Sequence, residues 1–419
     1  MPPDLINSPG SPPDGNTSPG IPAAAPSAGS PLLAGFLSVF ILLFLADGIL
    51  SFADDSLILL KNAHALTNLR LLVGLAEFVA TIVLYGLMAL TPMIPKRLFL
   101  PLALFGPASL LLGIPFVIYH YEQAEWISWI TSGVELLVGV GVFFLLRGRD
   151  KLGWPLVPLR YVTGPGFSWK NLIIFVLANG FVLLPLTLIY LFMCASMGIN
   201  YYTDGFMKLH PGGFTMQART YTRADGKTIQ LFPMAHVAEA DFYQNVEQTF
   251  PTNSIILMEG VTDEHNLLTN KISYKRMAQS LGLAEQHEKF VPQRGERVRA
   301  DIDIDQFSTN TIALLNLVMM IHTRGVNAAD VQTLVQYAPS PDFENQLFDD
   351  LLIKRNQHLL EEIRDKLPQT EYIVVPWGVA HMPGIAREIQ KIGFHLQATR
   401  QYTVIRFFHH SDEGVHAVK

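Results

Sequence analysis

Between residues 32 and 200 the chain is dominated by long apolar runs separated by short polar loops. Five runs, 32–52, 71–93, 98–119, 126–146 and 172–197, are each about 20 residues or slightly more. At about 1.5 Å per residue each covers roughly 30 Å of hydrocarbon. The pattern predicts a five-span α-helical membrane bundle over 32–198. Asp47 interrupts the first run, and Pro101, Pro107 and Pro115 fall in the third, where a spanning helix tolerates proline.

From about residue 199 to 419 the apolar positions become short and periodic, with strand patterns alternating with helical ones. That predicts a soluble α/β domain with a central mixed sheet. Ala224-Asp225-Gly226 between 214–222 and 227–232 is a hairpin signal. A helix is expected over 239–250, a buried strand over 254–260, and helices over 273–281, 309–323, 328–337 and 345–367. The β-branched run 372–375 reads as a buried strand. A helix follows it from near Met382, where Pro383 suits a first turn and Ile385, Ile389 and Ile392 recur at helical spacing. Residues 394–408 read as a closing β-hairpin.

Composition sharpens this picture at a few points. Residues 1–31 are mostly Pro, Ser, Gly and Ala and cannot bury enough surface to offset ordering, so a disordered tail is expected. It lacks the basic region of a signal peptide. The single cysteine, Cys194, lies in an apolar run and rules out an intrachain disulfide or a Cys-based zinc site. A net charge of -6 without a basic block argues against nucleic acid as partner, leaving membrane lipid and a peptide or protein substrate. Eleven of the thirteen histidines follow residue 200, which directs the search for chemistry there.

Lys and Arg in the short loops set the orientation. Lys96 and Arg97 follow the second run, and Arg147, Arg149, Lys151, Arg160 and Lys170 follow the fourth, so both loops are expected in the cytoplasm. Alternation then places the C-terminal domain outside the cytoplasm and the N-terminal tail inside it. Should 32–52 not cross, the tail is outside and the domain stays where it was. Asp47, Glu77 and Glu135 lie within the runs. Each is either a functional ionisable group or pairs with polar groups across the bundle.

Two segments place a histidine just after a strand: Pro233-Met234-Ala235-His236 and Gly378-Val379-Ala380-His381. The expectation is that both lie on strand-to-helix turns, where open α/β sheets bind ligands. Glu259 ends the strand between them. Two imidazoles and a carboxylate suit a divalent transition metal with an open position for water. Against a metal stands the helix dipole, since a helix N-terminus attracts anions. His381 can then bind a substrate carboxylate or polarise a carbonyl directly, while Glu239 partly offsets the positive end near His236. The Asp301, Asp303, Asp305 run lacks the glycine and terminal glutamate of an EF-hand and reads as a strand or loop edge with outward carboxylates.

These segments resemble the TraB/TIKI family, metal-dependent hydrolases with two G-x-x-H motifs. The resemblance covers about 228–392 and is strongest over 378–385. Weaker similarity runs through Ala235-His236-Val237, Met258-Glu259-Gly260, Arg299-Ala300-Asp301-Ile302-Asp303 and Lys354-Arg355-Asn356. It implies that His236, Glu259 and His381 hold a divalent ion (Mn, Co or Zn) and its water. It also implies that Arg355 faces the site and stabilises charge, the alternative being a surface ion pair with Glu361 or Asp350. The family's first glycine is replaced here by Pro233, which fixes φ and removes an N–H. Three functions stay open: a membrane-tethered extracytoplasmic metal-dependent hydrolase of peptide or amide bonds, a non-catalytic ligand- or partner-binding module on a membrane anchor, and a transporter built on the three intramembrane acids.

Overall fold

The computed structural model describes residues 29–148, 151, 153–269, 274–324 and 342–408. Most of the expected N-terminal tail and the helix expected over 328–337 lie outside them. The chain forms two compact units that divide between Leu188 and Ile189.

The first unit is helical. Its helices are α1 (Pro31–Lys61), α2 (Thr67–Leu90), α3 (Lys96–His120), α4 (Ala124–Arg147) and α5 (Trp169–Ala178); a π turn, Asn179–Leu183, joins α5 to α6 (Leu184–Tyr202). Among the described residues, four apolar helical stretches are long and apolar enough to cross a membrane: Pro31–Lys61, Thr67–Leu90, Lys96–Arg147 and Trp169–Tyr202. The runs 98–119 and 126–146 both fall in the third, where a 3-10 turn at Tyr121–Gln123 joins α3 to α4.

Ser30 caps α1 by accepting from Leu33 N, and Pro31 occupies its first turn. The helix continues past the expected end at 52 because its next two acids are satisfied. Asp55 accepts from Arg70, Ser128 and Ser132, and Asp54 from Thr67. Gly48 and Gly139 let α1 and α4 approach closely. A Cβ on Gly48 would lie 3.3 Å from Leu136 N, and one on Gly139 only 2.9 Å from side-chain carbons of Leu45 and Phe44.

The second unit is built on a mixed sheet of seven strands. In chain order the strands are β1 (Met207–His210), β2 (Gly213–Thr222), β3 (Thr228–Met234), the two-residue β4 (Val237–Ala238), β5 (Ser254–Met258), the two-residue β6 (Ala284–Glu285), β7 (Glu296–Arg299), β8 (Tyr372–Gly378) and β9 (His395–Arg406). β3, β8, β5 and β7 are parallel neighbours in that order, while β1, β3 and β9 pair antiparallel to β2. β4 and β6 pair apart from this sheet. The hairpin signal holds: β2 turns into β3 through Gly226 at φ +86°.

The expected closing hairpin is instead one strand, β9, laid along the whole of β2. It can lie there because Gly213, at φ +141°, has no Cβ: one would sit 1.9 Å from Ile405 O.

β8 is apolar on both faces because both are covered, as expected of a central parallel strand. Ile373, Val375 and Trp377 pack with Leu359, Ile363, Ile385 and Ile389 on one face, and Val374 packs with Phe232, Phe242 and Val246 on the other. The covering helices are α7 (Ala240–Glu247) on the second face and, on the first, two helices that follow α8 (Lys275–Ser280), α9 (Gln286–Lys289), α10 (Thr309–Arg324) and α11 (Phe343–Phe348). They are α12 (Arg355–Lys366) and α13 (Met382–Lys391). The single helix expected over 345–367 is α11 and α12 joined by a π turn, Asp349–Lys354, immediately before Arg355.

Candidate functional site

The site lies where β5 and β8 end. Their ladder stops at Ile256 opposite Val374. Beyond it the gap is bridged by side chains: Trp377 Nε1 donates to Leu257 O at 2.9 Å, and Gly378 N donates to Glu259 Oε2 at 2.5 Å. A crevice at the carboxyl ends of parallel strands is the expected ligand position in such sheets.

Arg355 fills the crevice. Its Nη2 donates to Glu259 Oε1 at 2.8 Å and Asp301 Oδ2 at 2.6 Å, its Nε to Asp301 Oδ1 at 3.0 Å, and its Nη1 to His381 Nε2 at 3.2 Å. Leu351 O accepts the remaining Nη1 contact at 3.5 Å. The π turn before α12 supplies that carbonyl and aims the guanidinium, consistent with the frequent use of π turns at functional positions. All five N–H groups of Arg355 therefore have protein acceptors. The expected alternative, a surface pair with Glu361 or Asp350, does not form: the Arg355 side chain is 13% exposed, and Asp350 pairs with Lys354.

Asp301 points inward, contrary to the expected outward edge. Its side chain is fully buried, and its two oxygens also accept from Gly260 N and Ile302 N. Asn356, the next residue after Arg355, places Oδ1 2.7 Å from His381 Nδ1. That bond assigns the proton to Nδ1 and leaves the Nε2 lone pair facing Arg355. Burial and the adjacent Arg355 charge push the imidazole down to about 4, against the opposing pull of Glu259 and Asp301. His381 is thus neutral near pH 7.

His236 is placed differently from His381. The register sets Pro233 beside Trp377 and Met234 beside Gly378, so the two histidine segments are offset by one residue. After His236 comes β4 rather than a helix, and His236 O accepts from Gln286 N across to the α9 segment. His236 thus lies in the connection from β3 to α7, as expected, with the two-residue β4 inserted between it and the helix. The ring is exposed, stacks on Tyr274 at 4.7 Å and 5°, and has Nδ1 3.3 Å from Gln286 Oε1. It still lies close enough for its charge to oppose protonation of His381. Tyr274 shares this rim, its phenol pushed up by burial and then by Glu259 and Glu285. Glu239 turns away to Arg406 instead of offsetting a helix end at His236.

Glu259 and His381 are brought to 3.6 Å, but His236 does not join them at ligand distance. Among the described residues, three donor groups approach within 4.8 Å only at His265, Asp303 and Asp305. As placed, then, His236, Glu259 and His381 do not fit one metal ion. Two of the three donors already accept from the guanidinium of Arg355, and the third is committed to Tyr274 and Gln286. No protein-family model, curated protein or solved structure matches the chain.

Proposed function

We propose that the C-terminal domain is a hydrolase of peptide or amide bonds, tethered to the membrane and working through Glu259, Arg355 and His381. One observation carries this reading: a carboxylate and a neutral imidazole from two parallel strand ends meet on a single buried guanidinium. Glu259 takes a proton from the attacking water while its oxygen bonds to the carbonyl carbon. On losing its charge Glu259 gives up Arg355 Nη2, whose N–H then turns to the oxyanion formed in the same step. The amine leaves with the proton returned by Glu259. His381, its tautomer held by Asn356, keeps the Nη1 side of the guanidinium in line.

A metal-dependent form, with Mn, Co or Zn on His236, Glu259 and His381, requires His236 to leave Tyr274 and Arg355 to leave Glu259. Metal content of the purified chain tests it separately. Five crossings, 98–119 and 126–146 counted apart, place the domain outside the cytoplasm on the distribution of Lys and Arg in the loops. Protease added to spheroplasts digests the domain under this topology and spares it under the opposite one.

A second reading, a non-catalytic ligand-binding module, is favoured by the complete internal use of the Arg355 donors. Cleavage of a mixed peptide library by the full chain separates the two. Under the hydrolase reading Arg355→Ala loses cleavage and added guanidinium restores part of it. Under the binding-module reading the unsubstituted chain cleaves nothing.

A further inference from the structure

Asn356 turns the two atoms of its amide to different places. Oδ1 is 2.7 Å from His381 Nδ1. Nδ2 lies against the bare face of Gly384 on α13, where a Cβ would come 2.7 Å from it. Asn356 is only 8% exposed, and among the described residues Nδ2 has no acceptor. A buried donor left unpaired is costly, which favours an acceptor brought from outside the chain.

There is room for one. Asn356 and Gly384 together line a cavity of about 420 Å³ between α12 and α13, so Nδ2 is unpaired without being sealed off. Ile353 and Leu360 form its apolar wall. Arg364 on α12 and Arg387 on α13 line it as well, and among the described residues neither pairs with a carboxylate. Of the two acids at the cavity, Glu388 is held by Lys391 at 2.7 Å, which leaves Glu361. The uncommitted charges are thus two guanidiniums and one carboxylate, a net positive surround for a buried N–H.

Those groups select a ligand class. A carboxylate accepts from Nδ2 and from the guanidiniums together, through charge-assisted hydrogen bonds, while an apolar wall with a few placed polar groups suits a small organic molecule. We propose that the cavity between α12 and α13 binds a small carboxylic acid with an apolar body, its carboxylate held by Asn356 Nδ2, Arg364 and Arg387. Glu361 suits an amino group on such a ligand, so a free amino acid and a simple acid share this chemistry. The site stands apart from hydrolysis at Glu259 and does not rest on it.

The test titrates the full chain in detergent micelles by calorimetry with leucine, N-acetyl-leucine and N-acetyl-leucine amide. Saturable binding of at least one acid is expected, with the amide at least tenfold weaker. Tighter binding of leucine marks a free amino acid, and equal or tighter binding of N-acetyl-leucine marks a simple acid. Asn356→Asp keeps an acceptor for His381 Nδ1 but puts an anionic oxygen in place of Nδ2. Arg364→Ala combined with Arg387→Ala alters only exposed side chains, and keeps the test open should Asn356→Asp fail to fold. Each is expected to weaken binding of the acid at least tenfold. Absence of binding by both acids, equal binding of the amide, or undiminished binding in either variant overturns the proposal.

Discussion

Arg355 and Asp301 face one another through two parallel hydrogen bonds, Nε to Oδ1 at 3.0 Å and Nη2 to Oδ2 at 2.6 Å, with the Asp301 side chain fully buried. The pair stands at the centre of the site, because the same guanidinium holds Glu259 and His381. Arg355→Ala strands two carboxylates in the interior and is expected to cost about 3–5 kcal/mol, the usual penalty for removing one partner of a buried pair. Urea denaturation of the purified chain, followed by tryptophan fluorescence, measures it.

Gly384 and Gly378 border the site unequally. A Cβ on Gly384 would lie 2.7 Å from Asn356 Nδ2, whereas one on Gly378 would meet Glu259 oxygens at 3.4 and 3.5 Å. Gly384→Ala must displace Asn356 and with it the imidazole that Asn356 holds. It is expected to destabilise by about 1–3 kcal/mol and Gly378→Ala by less, in the same denaturation assay.

His381 gives the domain a defined acid sensitivity. Its folded pKa, lowered to about 4 from 6.5, lies below its unfolded value, so the unfolded chain binds more protons between those pH values. The stabilising contribution is fully present above about pH 6.5 and falls progressively as pH drops toward 4, by about 3 kcal/mol in total. Denaturation midpoints at pH 7.5 and 5 should differ in the unsubstituted chain and differ less in His381→Gln.

β9 depends on one glycine. Gly213→Ala drives a Cβ into Ile405 O at a left-handed φ, and is expected to release β9 from β2 at a cost of more than about 2 kcal/mol. Hydrogen exchange at Thr403 and Tyr402, which pair with β2, should rise together.

Much of this arrangement was legible along the chain, and the exceptions share a cause. The β-branched run into Gly378 and the Pro383 helix start place His381 correctly, because local periodicity and punctuation decide both. Glu259 is visible as the polar end of an apolar strand. Asp301 reads along the chain as an outward carboxylate and Asn356 draws no notice, although both fall within the segments that carry the family resemblance. Whether Asp301 points inward depends on how β7 pairs with β5, and Asn356 is aimed by a π turn that helical spacing does not announce. The strand that separates His236 from α7 is only two residues long, too short to leave a pattern. Asp54 and Asp55 end an apolar run on paper, yet α1 passes through them because Thr67, Arg70, Ser128 and Ser132 lie across the bundle.

Peptide cleavage by Glu259→Gln tests the central claim most directly, since the amide keeps the shape of Glu259 and cannot take a proton from water. New peptide termini from a mixed library should appear with the unsubstituted full chain and fall at least 100-fold with Glu259→Gln, at unchanged folding by circular dichroism. Equal cleavage by both proteins, or none by the unsubstituted chain, would contradict the assignment of hydrolysis to this centre.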